Sequence, residues 1–553
     1  MAIDFEQLGG RIRSLLNSYV AVRSDTNSEL ELNVDAFFDR WFETVPYFRE
    51  NPGLRGHFPI PGDYLGRKVH WCLRRGAGAD TVVLIHHCDC VETSDYGMLE
   101  DVCLDPDALE KAYLERGVEL PADLEADVKS GEWVFGRGAS DMKGGGAIEL
   151  ALVEQYCAEA DFTGNVLVLA VPDEENLSAG MRGACHLMKA LKEEHGLNYV
   201  LMIDTEPHER GEDGVAQFYD GAIGKLLPVV YVKGKLAHVG QVYQGFSPIP
   251  LLAEIVRRTD LNPWFIEHEG NTTSPAPAWL YSKDQKLVYD VSLPGAACGF
   301  MSILPLAKSP MEIMGKMKEL SQAAFEAVIK DMNTSYARYL ELEGQPPQAL
   351  PWQPRVRFFG EIYAEALEAG GAAFEKAYAE AYSGVKAKIQ SKEMPLTGAV
   401  ISLIETTLKH VKDQSPTVVL AVSPPYYPSV TNSMLGAAAK KADDAIKALA
   451  AYAETELGQP YTVANYFTGI CDLSYAMFKA EPENVAYVEN NMLLWGEVYD
   501  IPLDIIRELS MPVVNIGPWG KALHKFAERV YKKDLFDHSP RLVDRMVRSM
   551  LAP

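Results

Sequence analysis

The sequence predicts an α/β protein: a mostly parallel sheet flanked by helices, with a smaller α+β unit inserted into it. Three observations carry this. Between about residues 80 and 205, near-continuous apolar runs at 81–85, 166–171 and 199–203 alternate with helical patterns, as in a parallel sheet covered on both faces. After about residue 225 the character changes, with strand patterns at 227–232, 279–281 and 287–292 followed by a long amphipathic helix opened by Pro310. Strand runs then return at 417–422 and 512–516. The expected organisation is a main α/β domain in two parts, 1–224 and 414–553, an inserted unit at 225–358, and a helical extension rich in Ala, Glu and Lys at 359–413.

A chain of 553 residues is too long for one small core, so two or more domains are expected. Residues 1–8 read as the start of an amphipathic helix without an apolar signal core, and no run approaches the roughly 18 apolar residues of a membrane span. The eight cysteines form no Cys-x-x-Cys pair and no disulfide framework, so a reduced, cytoplasmic setting is expected. A net charge of −25 argues against nucleic acid or an anionic membrane as partner and leaves a small molecule as the expected ligand.

The most informative stretch is Gly-Arg-Gly-Ala-Ser-Asp-Met-Lys-Gly-Gly-Gly at 136–146, which holds Asp141 between two glycine clusters. It is not a phosphate loop. Lys143 is followed by Gly144 rather than Ser or Thr, and a carboxylate there repels a pyrophosphate. Other polar residues stand just past the predicted strands: His86, His87 and Asp89; Asp173, Glu174 and Glu175; Asp204 and Glu206; and, late in the chain, His524. Singly, each has an ordinary reading, such as a satisfied histidine or an acidic helix start stabilised by the helix dipole. Together at successive strand ends they form a ring of carboxylates and imidazoles, whose repulsion is best relieved by divalent cations. Mixed His and carboxylate donors without cysteine suit zinc or a similar metal at a catalytic site. Asp141, with two oxygens, is able to bridge two ions, and the glycines beside it are expected to let backbone pass close to them.

These motifs resemble those of the dizinc metallohydrolases that include aminoacylase, glutamate carboxypeptidase, acetylornithine deacetylase and succinyl-diaminopimelate desuccinylase. His-Cys-Asp at 87–89, the glycine motif around Asp141, the Glu174–Glu175 pair, Glu206-Pro207 and the late His524 appear in that family's order. The resemblance implies a zinc-peptidase-like catalytic domain with a lid, and two divalent ions, zinc with cobalt or manganese as alternatives. It makes Asp141 the bridging ligand, with His87 and Glu206 at one ion and Glu175 and His524 at the other. Glu174 becomes the general base and Asp89 the carboxylate that orients His87. His238, in Gly-Lys-Leu-Ala-His at 234–238, resembles the lid histidine that steadies the substrate oxyanion, often across a homodimer formed through the lid. Two departures leave alternatives open: His86 replaces the family's usual Gly and is a rival ligand, and Asp204 is a rival to Glu206.

The added length, with motifs at 178–184, 424–428, 469–475 and 515–524, resembles most the bacterial arginine-utilisation branch of that family. The expected reaction is hydrolysis of an amide, peptide or ureido C–N bond in a small amino-acid derivative or dipeptide. Asp472 and Tyr475 are candidate substrate contacts, with helix capping the ordinary reading for Asp472. The alternatives are a noncatalytic binding scaffold of the same fold and a broader amino- or carboxypeptidase.

Overall fold

The computed structural model describes residues 3–211 and 213–552. In chain order the strands that matter here are β1 (Arg55–Pro59), β2 (Lys68–Arg74), β3 (Ala77–His87), β4 (Thr163–Val171), β5 (Asn198–Asp204), β6 (Ala216–Tyr219), β7 (Lys225–Lys233), β8 (Ala278–Asp284), β9 (Ala296–Ser302), β10 (Val356–Phe358), β11 (Thr417–Tyr427), β12 (Tyr461–Ala464) and β13 (Val513–Asn515). The helices are α1 (Phe5–Val20), α2 (Asn33–Thr44), α3 (Lys143–Ala158), α4 (Ala179–His195), α5 (Pro248–Thr259), α6 (Pro310–Leu342), α7 (Phe359–Gln390) and α8 (Leu396–Leu408).

The main sheet has the order β1-β2-β4-β3-β5-β13-β6-β12. Its central strands β4, β3, β5 and β13 are parallel, so their carboxyl ends reach one edge, where α/β sheets bind ligands. Alternate residues of the central strands enter different cores. Val83, Ile85, Leu169 and Met202 pack on the face covered by α4, whereas Val82, Leu84, Val168 and Ile203 pack on the face covered by α1 and α3. This period of two decides which polar residues at the strand ends can meet.

A second sheet, ordered β8-β9-β7-β11-β10, forms the core of the inserted unit. Here the structure corrects the sequence reading of residues 417–422. They do not return to the main sheet; β11 runs antiparallel to β7, with Thr417 opposite Lys233. The run is apolar throughout because this second sheet is covered on both faces. Leu420 and Val422 pack with residues of α5 and α6, and Val419 and Ala421 with residues of α7 and α8. A doubly covered antiparallel strand carries the same continuous apolar signature as a parallel one. The long helix α6 of this unit begins as its sequence dictates, with a Ser309–Glu312 capping box and Pro310 in the first turn. Residues 287–292 are not a strand. Leu287, Val288 and Tyr289 are almost fully exposed in a loop tied by Asp290 to Ser292 and Lys286.

The glycines after Asp141 serve a different purpose from the one expected. They press the start of α3 onto its neighbours. A Cβ on Gly144 would lie 2.4 Å from the Ala139 carbonyl oxygen, one on Gly145 2.4 Å from both the carbonyl and hydroxyl oxygens of Thr205, and one on Gly146 2.5 Å from the His86 ring. Among the described residues no helix is long and apolar enough to cross a membrane.

Gly145→Ala is therefore expected to destabilise the protein by about 1–3 kcal/mol, the usual cost of overpacking a dense core. Thermal unfolding checks it: a midpoint equal to that of the parent would show that α3 can retreat from Thr205 freely.

Candidate metal centre

His87 ends β3 on the α4 face, and Asp141 lies in the turn before α3. The two oxygens of Asp141 are divided between two histidines. Oδ1 lies 2.9 Å from His87 Nε2, and Oδ2 lies 3.0 Å from His524 Nε2. Glu206, two residues past β5, brings Oε1 to 3.4 Å from His87 Nε2, and Glu175 brings Oε1 to 3.0 Å from His524 Nε2. Ligand atoms of His87, Asp141 and Glu175 lie within 4.8 Å of one another, as do those of His87, Glu174 and Glu206.

The electrostatics favour cations. Burial, the Asp141 charge and other neighbouring carboxylates raise Glu206 to about 7, and burial with Asp141 also raises Glu175. Burial is the main cause that pushes Glu174 well above the carboxylate range, with Asp472, Glu175 and Glu206 adding repulsion. Hydrogen bonds to Asp141 and Glu175 lift His524 to about 10. Four acidic groups and two imidazoles thus converge on two foci that share one carboxylate. Two divalent ions with His and carboxylate donors fit this arrangement.

The supports of the site are partly what the sequence suggested and partly new. Asp89 does not orient His87 through its carboxylate, which stands 3.7 Å from Nδ1; its backbone carbonyl accepts from that nitrogen at 2.9 Å. The carboxylate instead accepts the backbone N–H groups of Glu174 and Glu175, at 3.1 and 3.3 Å, and so sets the acidic pair in place. Asp173 leaves the ring altogether and binds Arg67 at 2.5 Å, in a buried network with Glu31 and Asp63. His86 is not a rival ligand. The pleat turns it to the opposite face, where Nδ1 meets Glu149 at 2.7 Å, and burial lowers its pKa to about 3. Asp204 is buried without a hydrogen-bond partner and stands outside the ligand clusters, whereas Glu206 stands within one.

Asp472 does not cap its short helix, whose N-cap is Cys471. Its carboxylate is buried, raised to about 7 chiefly by that burial, and adds to the repulsion on Glu174. Tyr475 packs edge-on against Tyr427 in the core on the α4 side. His238 is exposed on the inserted unit, its Nδ1 accepting the Gly240 N–H at 3.1 Å, and among the described residues it makes no hydrogen bond to the acidic ring.

Two residues escaped the sequence reading. Glu528 is buried between Arg137, held at 2.8 Å, and the backbone N–H groups of Ser140 and Asp141, both at 3.2 Å. Arg137 also binds Asp95 at 2.7 Å and stacks on Tyr96, so the arginine of the glycine motif anchors the turn that presents Asp141. Lys225, at the start of β7, is mostly buried and feels the Glu174 charge. Position alone signalled neither, since each partner lies far off in the chain. A separate cavity of about 880 Å³, lined by Asp63, Arg182, Lys386 and Glu497 among others, includes none of the ligands.

A ring of His and carboxylate groups at the carboxyl edge of a parallel sheet defines a metallohydrolase site. The family model of peptidase family M20/M25/M40 matches residues 107–535, and the chain belongs to that family. It is a hydrolase of peptide or amide bonds. It is 29% identical over 548 residues to Protein RocB of Bacillus subtilis, covering 98% of this chain and 95% of the relative. It is 29% identical over 549 residues to the uncharacterized protein YqjN of the same organism, covering 99% and 97%. The fold is similar to that of aminopeptidase PepT from Bacillus cereus, with a TM-score of 0.53, 14% identity and 99% of each chain covered.

Arg137→Ala strands the Glu528 charge in the interior, a change that typically costs about 3–5 kcal/mol. It is expected to lower the unfolding midpoint and to weaken metal retention at Asp141. Metal analysis after gel filtration checks the second effect; unchanged content would show that Asp141 is held without the Arg137–Glu528 pair.

Proposed function

We propose that the protein is a two-metal amidohydrolase that cleaves a C–N bond in a small amino-acid derivative or dipeptide. The observation that carries this reading is the division of the Asp141 oxygens between two histidine-bearing foci, with Glu174 clustered with His87 and Glu206. His87 and Glu206 would hold one ion with Asp141, and Glu175 and His524 would hold the other with it; zinc is the metal the donors favour. Such ions would supply Lewis acidity and would lower the pKa of water at the site towards neutrality. Glu174 takes the water's proton as the scissile carbonyl is attacked, and returns it to the leaving amine. The raised proton affinity of Glu174 suits both transfers. Lys225, close to Glu174, offers a cation for a substrate carboxylate. His238 reaches the oxyanion from a lid that closes over the site.

Likeness to RocB over the full length, and the motifs of the arginine-utilisation branch, support a substrate derived from arginine or a related basic amino acid. The buried Asp472 carboxylate near Glu174 adds negative charge on that side. A homodimer through the lid is also part of this reading. The lid's outer strand β8 and the exposed Leu287, Val288 and Tyr289 leave apolar surface for a second copy.

Glu174→Gln is expected to keep its metal while turnover falls at least about 100-fold, the lower range for loss of a general base. The measurement pairs metal analysis with assays over N-acyl, N-carbamoyl and dipeptide substrates; an active, metal-loaded Glu174→Gln protein would sink the mechanism. His238→Ala should likewise keep its metal and lose rate. If the lid serves a partner's site, mixing His238→Ala with Glu174→Gln restores activity in hybrid dimers. A confirmed hybrid that stays inactive would place each lid over its own chain's site.

A further inference from the structure

A second cluster of metal-binding side chains lies on the far edge of the main sheet. β1 and β2 are antiparallel, and the register places His57 directly opposite His70. Their Nδ1 atoms face each other at 2.6 Å. A carboxylate of α2 stands beside each ring: Asp39 Oδ1 lies 3.0 Å from His57 Nε2, and Asp35 Oδ1 lies 3.6 Å from His70 Nε2. Asp35 and Asp39 are four residues apart, so one helix face supplies both. His70 is 2% exposed and stacks on Phe38 with ring centroids 4.7 Å apart, so its orientation is set by packing. Ligand atoms of Asp35, His57 and His70 lie within 4.8 Å of one another.

Two imidazole nitrogens this close share a single proton, because two N–H groups would repel and two bare lone pairs would too. Burial, with the charges of His57, Lys68 and His86, holds His70 well below the usual histidine range, so its ring stays neutral with a lone pair to offer. The carboxylate of Asp39 holds a proton on His57 Nε2 and frees His57 Nδ1, as carboxylates do behind metal-binding histidines. Lys68 occupies the other oxygen of Asp35, leaving Oδ1 free on the His70 side.

We propose that Asp35, His57 and His70 form a structural site for one further divalent transition-metal ion, of the zinc or cobalt class, independent of the centre around Asp141. The ion takes the place of the hydrogen between the two Nδ1 atoms; that hydrogen moves to His70 Nε2, so both rings bind as neutral imidazoles, and water completes the coordination. With metal–nitrogen bonds of about 2.0–2.1 Å, a tetrahedral ion holds its nitrogens a little over 3 Å apart, so the rings part by less than about 1 Å. The ion ties α2 to the β1–β2 hairpin. The loop of that hairpin carries Asp63 and Arg67, and Arg67 anchors Asp173 beside the Glu174–Glu175 pair.

The test is the number of ions per chain after equilibration with Zn2+ and gel filtration, compared between the parent and His57→Asn. The parent is expected to hold one more ion than the variant, and the variant to keep its hydrolytic rate. Because the readout is a difference, it holds whatever the occupancy around Asp141, and a failure of the proposed catalytic reading leaves it intact. Equal ion counts in the two folded proteins would overturn the proposal. Should His57→Asn fail to fold, Asp141→Asn loaded with Co2+ decides the matter. Visible absorption bands of a bound Co2+ ion that disappear on adding Asp35→Asn support the site, and bands unaltered by that change, or no bands at all, refute it.

Discussion

Everything at the functional edge of this molecule depends on one carboxylate facing two ways. Asp141 offers one oxygen to His87 and the other to His524, and those histidines come from the third strand of the chain and from its last thirty residues. A charge shared in this way has to be held rigidly, because a small rotation would favour one histidine over the other. The rigidity comes from Glu528, which gathers the backbone N–H groups of Ser140 and Asp141 and is itself neutralised by Arg137. Buried ion pairs contribute little net stability, yet they fix geometry when breaking them is costly. Here the pair joins the glycine motif to the C-terminal segment, so the two halves of the centre are assembled by a contact outside it.

The acidic pair illustrates how a sheet edge becomes a reactive site. Glu174 and Glu175 follow one strand, but Asp89, which follows another, accepts their backbone N–H groups. Adjacent strand ends therefore set one another in place, and side chains that repel are kept together by bonds made through their backbones. The repulsion is the stored tendency to accept a cation or a proton, which is what hydrolysis needs from such a site.

Much of this was legible in the residues. Ligand candidates stood immediately after apolar strands, and the glycine motif marked the turn that carries Asp141. What was hidden has physical causes. Period-two alternation separates His86 from His87, but only the packing of α1 and α3 shows which face is which. The role of Asp89 passed from side chain to backbone, a distinction no residue type encodes. Glu528 and Lys225 act through partners distant in the chain. The strand β11 was assigned to the wrong sheet because burial on both faces erases the difference between parallel and antiparallel neighbours. The glycines were recognised, but their contacts with Thr205 and His86 are tertiary.

The inserted unit begins just after β6, and its two ends pair with each other as a separate antiparallel ribbon, Val430 opposite Ala222 and Thr431 opposite Gly221. The inserted chain thus departs and returns at a single point, like a cassette clipped into the rest of the protein. Growth inside such a cassette is invisible to the sheet that bears the ligands. The pair α7 and α8 packs as a cover on the second face of this unit's sheet. Evolution of such a chain can therefore change what reaches the centre separately from the chemistry performed there.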